Sequence, residues 1–469
     1  MVTNNNKDQS LENLSVLVVD DCSASLLLFK QQLKQIGVQK VRSATNYHEA
    51  LSLVGTHRYD VILLDYHLDQ SVTGTQLATI FSRRKLISRS TGLLLISSDS
   101  SKETVLTGLS DQIPHFMKKP FKPADLSKRL MQVHRDQLAL RQLEDLLFGE
   151  HAQDPTQYDE LSLVKIVTRA PTPVLAESYI LQTLISQQRW EHLTRWLAHS
   201  PLPVHAQKLI AKARLLANQG DITQALSLAE DYVRDNPLAI KVIDLVCQLY
   251  TENGHYDQAY RYARLAFDKT PSLSSRAICA ARLATELNKW DRLIEVGRLY
   301  ANSLSIADIS WISAMVAYGQ CLQQAFSQLM VADKREHFTN QVNDIFSLTH
   351  QRLSHAQRRS LELYKQLFVI GVRHQQARHK EAKKILLSAV LPFIDDVAKV
   401  PTCLLIECYF KLHFYNELWF ANKVADEIDK RSVFDEETER LLQNYHEYRK
   451  LIPKEEKSTA LIAPQTTSS

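Results

Sequence analysis

The sequence is poor in glycine, with 11 glycines and 14 prolines among 469 residues. Scarce glycine disfavours a chain of many tight hairpins and favours long helices. The six cysteines form no CxxC pair, so we expect reduced side chains and neither a disulfide framework nor a zinc site. No apolar run approaches the roughly 20 residues of a membrane span. The start, "MVTNNNKDQS", lacks the apolar stretch of a secretion signal. These absences predict a cytoplasmic protein without membrane attachment.

The chain also lacks a strong excess of charge of either sign. Its formal net charge is +4, with 45% hydrophobic and 23% charged residues. This composition is typical of an ordinary globular protein and gives no argument for nucleic-acid binding. A length of 469 residues is too great for one hydrophobic core and indicates two or more domains.

The pattern over residues 13–137 is an alternation of short apolar runs and amphipathic helical segments. Predicted strands lie in "LSVLVVDD", "VQKVRSA", "YDVILLD", "TGLLLISSDS" and "PHFMKKPF", each followed by a predicted helix; the fourth helix is expected at about residues 101–110. Five strands alternating with five helices predict an α/β domain with a five-stranded parallel sheet covered on both faces. Ligands of such sheets bind at the carboxyl ends of the strands.

Polar residues follow these strands where that edge should form. They are Asp20 and Asp21 after the first strand, Asp65 after the third, Ser97 after the fourth and Lys119 after the fifth. Clustered carboxylates repel one another unless a cation joins them, and Mg²⁺ prefers oxygen ligands of this kind. We therefore predict a magnesium site of Asp20, Asp21 and Asp65, with Asp65 as a nucleophile toward phosphorus.

A phosphoryl group on Asp65 would need donors around its oxygens. Lys119 and the Ser97 hydroxyl are predicted to supply them beside the metal, while the small Ser98 leaves room for the phosphodonor. Lys119-Pro120 is a candidate for a cis peptide.

The motifs "VVDD", "VILLDYHL", "LLLISSD" and "MKKPF", in this order, resemble the receiver domain of bacterial two-component response regulators. The resemblance implies a flavodoxin-like fold with Asp65 as phosphoacceptor. It also implies that the backbone carbonyl of His67 is a metal ligand and that Phe116 is the aromatic switch residue. One departure is the loop after Asp65, which has no proline and reaches Gly74 one residue later than usual.

The strand signal disappears after residue 138. We predict a helical extension and linker over 138–160, a helical region over 161–453, and flexible ends at 1–12 and 454–469. A 34-residue repeat is clearest over 206–271, where Gly220 and Gly254 correspond, as do Pro237 and Pro271. It resembles the tetratricopeptide repeat, which stacks into an all-α solenoid with a groove for protein partners.

The resemblance places certain residues in that groove, namely Arg214, Lys241, Asp244, Gln248 and Arg282. We predict a response regulator that takes phosphate from a sensor histidine kinase or a phosphotransfer protein and whose helical domain binds a protein. We expect no enzymatic activity beyond self-catalysed phosphotransfer and dephosphorylation. A helical domain that binds nucleic acid, and a phosphate sink or inhibitor of the kinase, remain alternatives; homodimerisation is left open.

Overall fold

The computed structural model describes residues 11–68, 72–88, 91–98, 113–148, 160–304, 308, 310–329, 332–393, 396–431, 433 and 435–452. The chain forms two compact units, Met1–Thr270 and Pro271–Ser469. Over the described part of the chain, no helix combines the length and the apolar character needed to span a bilayer.

A five-stranded parallel sheet forms the N-terminal part of the first unit. The strands of the domain are β1 (Ser15–Val19), β2 (Lys40–Ala44), β3 (Val61–Asp65), β4 (His67–Leu68), β5 (Val72–Thr73), β6 (Gly92–Ser97) and β7 (His115–Lys118). The sheet order is β2-β1-β3-β6-β7, and β4 and β5 form a separate antiparallel pair. All residues of β6 are buried, whereas the edge strand β2 alternates between exposed and partly buried residues. The predicted parallel α/β domain is confirmed.

The described residues of this domain contain three short helices, α1 (Ser23–Gln35), α2 (Tyr47–Thr56) and α3 (Gly74–Arg83). Helix α2 begins where Asn46 accepts a hydrogen bond from the backbone of Glu49, and α3 begins with a capping box of Thr73 and Gln76. The helix predicted at 101–110 lies outside the described residues.

Two residues of the predicted flexible segment 1–12, Leu11 and Glu12, have a defined structure. Residues Leu11–Asn13 form a 3₁₀ turn, and Leu11 packs into the hydrophobic core beneath the sheet. Burying this leucine stabilises the entry to β1 by on the order of 1 kcal/mol.

The last helix of the α/β domain continues into the predicted helical extension. Helix α4 runs from Pro123 to Phe148 without a break. Leu126 and Leu130 belong to the core of the sheet, whereas Leu143 and Leu147 belong to the core of the following helices. The first part of the predicted extension, 138–148, is therefore helical and continuous with α4, which is shared by two hydrophobic cores.

The rest of the described chain is helical. The first unit continues with α5 (Glu160–Arg169), α6 (Pro173–Ser186), α7 (Trp190–His199), α8 (Ala206–Asn218), α9 (Ile222–Asp235), α10 (Ile240–Glu252) and α11 (Tyr256–Lys269). The second unit contains α12 (Ser274–Glu286), α13 (Trp290–Ser303), α14 (Trp311–Gln328), α15 (Ala332–Arg352), α16 (His355–Gln375), α17 (His379–Val390), α18 (Thr402–Phe414), α19 (Leu418–Ile428) and α20 (Glu436–Leu451). The helical region predicted over 161–453 is thus divided between the two units, at residue 270.

The 34-residue repeat is visible in the helix boundaries. Helices α8, α10 and α12 begin at Ala206, Ile240 and Ser274, each 34 residues after the last. Ala225 and Ala259 are fully buried where the second helix of a pair meets the first, because a methyl group permits close approach. The helices therefore pair as the repeat predicts, while the tetratricopeptide type of the repeat stays a resemblance.

One turn geometry recurs between paired helices. Six helix pairs, α6/α7, α8/α9, α10/α11, α12/α13, α16/α17 and α18/α19, are joined through a residue with positive φ. These residues are Gln188, Gly220, Gly254, Asn288, Ala377 and Asn416. Only two are glycine, so a search for glycine detects two of the six turns.

Candidate functional site

The acidic cluster is formed where β1 and β3 end. Val19 of β1 is in register with Leu64 of β3, so the residues that follow, Asp20 and Asp65, lie at the same edge of the sheet. Carboxylate oxygens of Asp20, Asp21 and Asp65 all lie within 4.8 Å of one another. Asp20 is buried, Asp65 is partly buried and Asp21 is exposed. The structure thus brings together the three acids that the sequence predicted to converge.

Lys119 joins two of these acids. Its Nζ lies 2.8 Å from Asp20 Oδ2 and 2.7 Å from Asp65 Oδ1. The lysine is positioned from both sides, because its backbone N–H donates to the carbonyl of Ser97 (2.8 Å) and its ammonium lies 5.5 Å from the ring centre of Phe29. The Lys119-Pro120 peptide is cis, as predicted. The ammonium is therefore held over the carboxylate of Asp65.

Burial and neighbouring charges act on these groups in opposite directions. Burial raises the pKa of Asp65 above its ordinary value, although the hydrogen bond and charge of Lys119 oppose this. Burial by itself disfavours the Lys119 ammonium, but hydrogen bonds to Asp20 and Asp65 raise its pKa overall. Three carboxylates face one ammonium, so negative charge is in excess. The oxygen donors and this excess fit a hard divalent cation such as Mg²⁺.

In the loop after Asp65, Gly74 packs closely against the backbone of Asp65. The Tyr66 N–H donates to the carbonyl of Ile96 (2.8 Å), and the Gly74 N–H donates to the carbonyl of Tyr66 (2.9 Å). A Cβ on Gly74 would lie 2.2 Å from the carbonyl oxygen of Asp65. Gly74 therefore supports the backbone of Asp65 despite the absence of proline from this loop. His67 is exposed at the start of β4, and the role of its carbonyl as a metal ligand stays a prediction.

The remaining predicted site residues lie on β6 and β7 or directly after them. Ser97 ends β6 fully buried, and Ser98 after it is exposed. Phe116 is partly buried in the middle of β7, three residues before Lys119. These positions agree with the predicted edge of the sheet, while the switching roles of Ser97 and Phe116 stay predictions.

Sequence reasoning missed Ser25, in the first turn of α1. Its hydroxyl donates to Asp20 Oδ2 (2.6 Å) and lies 3.5 Å from Lys119 Nζ. The backbone N–H of Cys22 donates to the other oxygen of Asp20 (2.9 Å). Asp20 is thus oriented by the start of α1, and a hydroxyl five residues after the acid was the only signal in the sequence.

A second buried polar cluster lies between the sheet and the first helices of the helical region. His115 Nε2, on β7, is 3.5 Å from Asp136 Oδ2, on α4, and both side chains are buried. Asp136 also accepts hydrogen bonds from the N–H (2.8 Å) and the hydroxyl (2.7 Å) of Thr172, which precedes α6. Burial raises the pKa of Asp136, and burial lowers the pKa of His115 to about 4. Asp136 therefore links β7 to the entry of α6.

The predicted groove residues already have partners within their own units. Arg214 donates to Gln248 and lies 3.5 Å from Glu252, and Gln248 donates to Glu252 (2.8 Å). Lys241 and Asp244 are partly buried on α10 and take part in further interactions. In the second unit, Arg282 on α12 donates to Glu437 on α20. That these positions bind a partner stays a prediction.

The fold and the site define a class: a doubly wound α/β domain with an acidic, lysine-bridged cluster at the carboxyl edge of its sheet. Residues 16–131 match the family of response regulator receiver domains. This part of the chain is therefore a response regulator receiver domain, and the described residues that follow it form helices.

Individual relatives were found for about a quarter of the chain. The transcriptional regulatory protein YvrH of Bacillus subtilis (strain 168) is 26% identical over 120 residues, which are 26% of this chain and 48% of that protein. The match thus spans about half the length of this curated relative. Among solved structures, the receiver domain of Francisella response regulator 1452 is 27% identical over 26% of this chain and 97% of its own, with a TM-score of 0.24. The Vibrio cholerae chemotaxis protein CheY4 is also 27% identical, covering 26% of this chain and 98% of its own, with the same TM-score.

Proposed function

We propose that this protein is a phosphorylation-regulated response regulator that accepts phosphate on Asp65 and controls a protein–protein interaction of its helical region. The observation that carries the proposal is the position of Lys119 Nζ, 2.7 Å from Asp65 within a cluster of three acids. A purely structural ion pair would not need two further carboxylates at the same point. The donor is a sensor histidine kinase or a phosphotransfer protein.

In the proposed reaction, a carboxylate oxygen of Asp65 attacks the phosphorus of a phosphohistidine. The P–N bond breaks, the imidazole of the donor leaves, and an acyl phosphate forms on Asp65. Lys119 holds an oxygen of the transferred group with its ammonium, and Ser97 is the hydroxyl at the same edge of the sheet.

Mg²⁺ bound by Asp20, Asp21 and Asp65, with the His67 carbonyl as a further ligand, would neutralise charge on the phosphoryl oxygens. Ser25 and the Cys22 N–H keep Asp20 turned toward that site. The raised pKa of Lys119 keeps it charged throughout the physiological range.

A chain of contacts through α4 would carry a structural change from the phosphorylated site to the helical region. Phe116 and His115 are neighbours on β7, and His115 faces Asp136, which holds Thr172 at the start of α6. A shift of β7 after phosphorylation would therefore reach α6 through one buried carboxylate. Only a difference in partner affinity between the two states converts such a shift into regulation.

The test is Mg²⁺-dependent labelling with ³²P-acetyl phosphate. Asp65→Asn is expected to abolish labelling, whereas Asp145→Asn, an exposed acid on α4, should be labelled like the wild type. Labelling of Asp65→Asn at the wild-type level would refute the assignment.

A pull-down with wild type and Asp65→Asn, each with and without acetyl phosphate, tests the output. Partners recovered only with phosphorylated wild type support control of protein binding. Capture of the kinase alone supports the alternative role of phosphate sink or kinase inhibitor. We propose no enzymatic activity beyond self-catalysed phosphotransfer and dephosphorylation.

The second candidate is a nucleic-acid output, which the Bacillus relative favours, because that protein is a transcriptional regulatory protein. The similarity covers 48% of the relative, a length close to that of the receiver domain. A gel shift with random DNA that disappears at higher salt would support this candidate over protein binding.

A further inference from the structure

Helix α20 is an amphipathic helix bound to the second unit largely through its apolar face. Leu441 and Tyr445 are buried, and the Tyr445 ring lies 4.9 Å from that of Tyr409 on α18. Tyr448 packs on Phe410 at 5.3 Å, and its hydroxyl lies 3.0 Å from His413. The carboxyl half of α20 is therefore attached to α18 by an aromatic stripe, and Tyr445 and Arg449 also donate to Asp429, which follows α19.

The amino half of α20 reaches two further helices through polar contacts. Glu437 accepts a hydrogen bond from Arg282 on α12, and Arg440 donates to Gln320 on α14 (3.3 Å). Gln320 also lies 3.4 Å from Glu407 on α18. Arg282 of α12 and Gln320 of α14 thus contact α20 directly, and Glu407 of α18 lies next to Gln320.

The charges of the two surfaces are complementary. The first turn of α20 carries Glu436, Glu437 and Glu439, which the positive end of a helix dipole favours. Opposite them stands Arg282, the arginine that the repeat pattern placed in a partner groove. The Arg282 side chain is 37% exposed and that of Glu437 is 15% exposed, so water can reach this contact. A partly solvated ion pair of this kind is exchanged more readily than a dry core contact.

We propose that the surface of Arg282, Gln320 and Glu407, continued by Tyr409 and Phe410, is a binding site for an amphipathic helix of a partner protein. The partner helix carries carboxylates in its first turn and an aromatic or leucine stripe on one face. Helix α20 occupies this site in the free protein and competes with the partner. The inference rests on the proposed protein-binding function and names the class of partner.

Competition by a tethered helix sets the size of the effect to be measured. The tether gives α20 a high effective concentration at the site, and the apparent affinity of a partner falls with the fraction of chains whose site is open. Weakening α20 without changing the site should therefore strengthen binding of a helix added in trans.

The probe is a fluorescein-labelled peptide of residues 435–452, titrated with the full-length chain and followed by fluorescence anisotropy. The Glu437→Lys chain is expected to bind it at least fivefold more tightly than the wild type, because its own α20 no longer pairs with Arg282. Glu447→Lys, an exposed acid on the same helix, is the matched control and should bind like the wild type.

A charge-reversal experiment tests the site itself. The Arg282→Glu chain should prefer a peptide carrying Glu437→Lys over the natural peptide by at least threefold, the reverse of the wild-type preference. Both peptides compete with the same α20 in that chain, so the comparison does not depend on how firmly α20 is held.

The inference would be overturned if the Glu437→Lys chain bound no peptide, or if the Arg282→Glu chain showed no reversed preference. Where a variant fails to fold, hydrogen exchange of the wild type decides. Amides of α20 that exchange as slowly as those of α18 would then overturn the inference. The last result would make α20 a permanent part of the core. Labelling of Asp65 does not involve this surface. Its failure with normal peptide binding would count against the proposed function alone.

Discussion

The substitution Gly74→Ala tests whether the phosphoacceptor is positioned by close backbone packing. The added Cβ would lie 2.2 Å from the Asp65 carbonyl oxygen and 3.1 Å from its carbonyl carbon. The carbonyl would have to withdraw by about 1.2 Å to restore ordinary contact, while the Gly74 N–H remains bonded to Tyr66 next to it. Overpacking of this kind costs about 1–3 kcal/mol.

The chemical effect should exceed the loss of stability. Asp65 is the last residue of β3, so a displaced carbonyl displaces its carboxylate relative to Lys119. Misplacement of a reacting group by about 1 Å can lower a rate on the order of 100-fold. We expect Gly74→Ala to slow labelling by acetyl phosphate by at least tenfold in protein that is still folded.

The matched control is Gly55→Ala, within α2. A Cβ at Gly55 meets no atom within 4 Å, and alanine in a helix is favoured over glycine by about 0.5–1 kcal/mol. Urea unfolding followed by circular dichroism should therefore shift in opposite directions for the two variants, with normal labelling of Gly55→Ala. Equal stability and normal labelling of Gly74→Ala would show that the contact does not position Asp65.

Four further substitutions test the electrostatics and the turns. Because burial raises the pKa of Asp65, the folded chain retains a proton that the unfolded chain loses, and the free energy of unfolding falls as pH rises. Asp65→Asn should therefore be more stable than the wild type in urea at about pH 7. The difference in stability between the two proteins should narrow toward about pH 4. A gap that widens on acidification would contradict this. Asp136→Ala should lower the free energy of unfolding by about 1–3 kcal/mol and speed hydrogen exchange at the start of α6, because two donors of Thr172 lose their acceptor. Unchanged exchange there would exclude the link between Asp136 and α6. Ala377→Gly should raise the free energy of unfolding by about 1 kcal/mol, because alanine is strained at a φ of +60°. Asn416→Gly should raise it by less. A lower free energy of unfolding for Ala377→Gly would argue against this turn geometry.

The receiver domain and its acidic cluster were accessible from the sequence because each signal is local. Val61 to Leu64 are consecutive apolar residues that end at Asp65, and such a run forms a buried parallel strand wherever it lies in the chain. Once the strands are parallel, topology brings the residues after them to one edge. Asp20, Asp65 and Lys119 could therefore be placed together from separate motifs.

The residues that sequence reasoning missed act through the packing of one element against another or through backbone conformation. Ser25 lacks a motif of its own, and only the packing of α1 beside β1 brings its hydroxyl to Asp20. Gln188 and Ala377 adopt a positive φ because the helices on either side must pack, not because these residue types favour it.

Local patterns in the sequence specify the strand and helix alternation, the order of the candidate site residues and the 34-residue helical repeat. These follow from hydrophobic period and residue type, which act over a few neighbours. The folded structure was needed to see how far α4 extends into the second core, that Asp136 connects β7 to α6, and that Glu437 faces Arg282. Such contacts join residues tens or more than a hundred positions apart, and their energy comes from burial and charge pairing that exist only after the chain has packed.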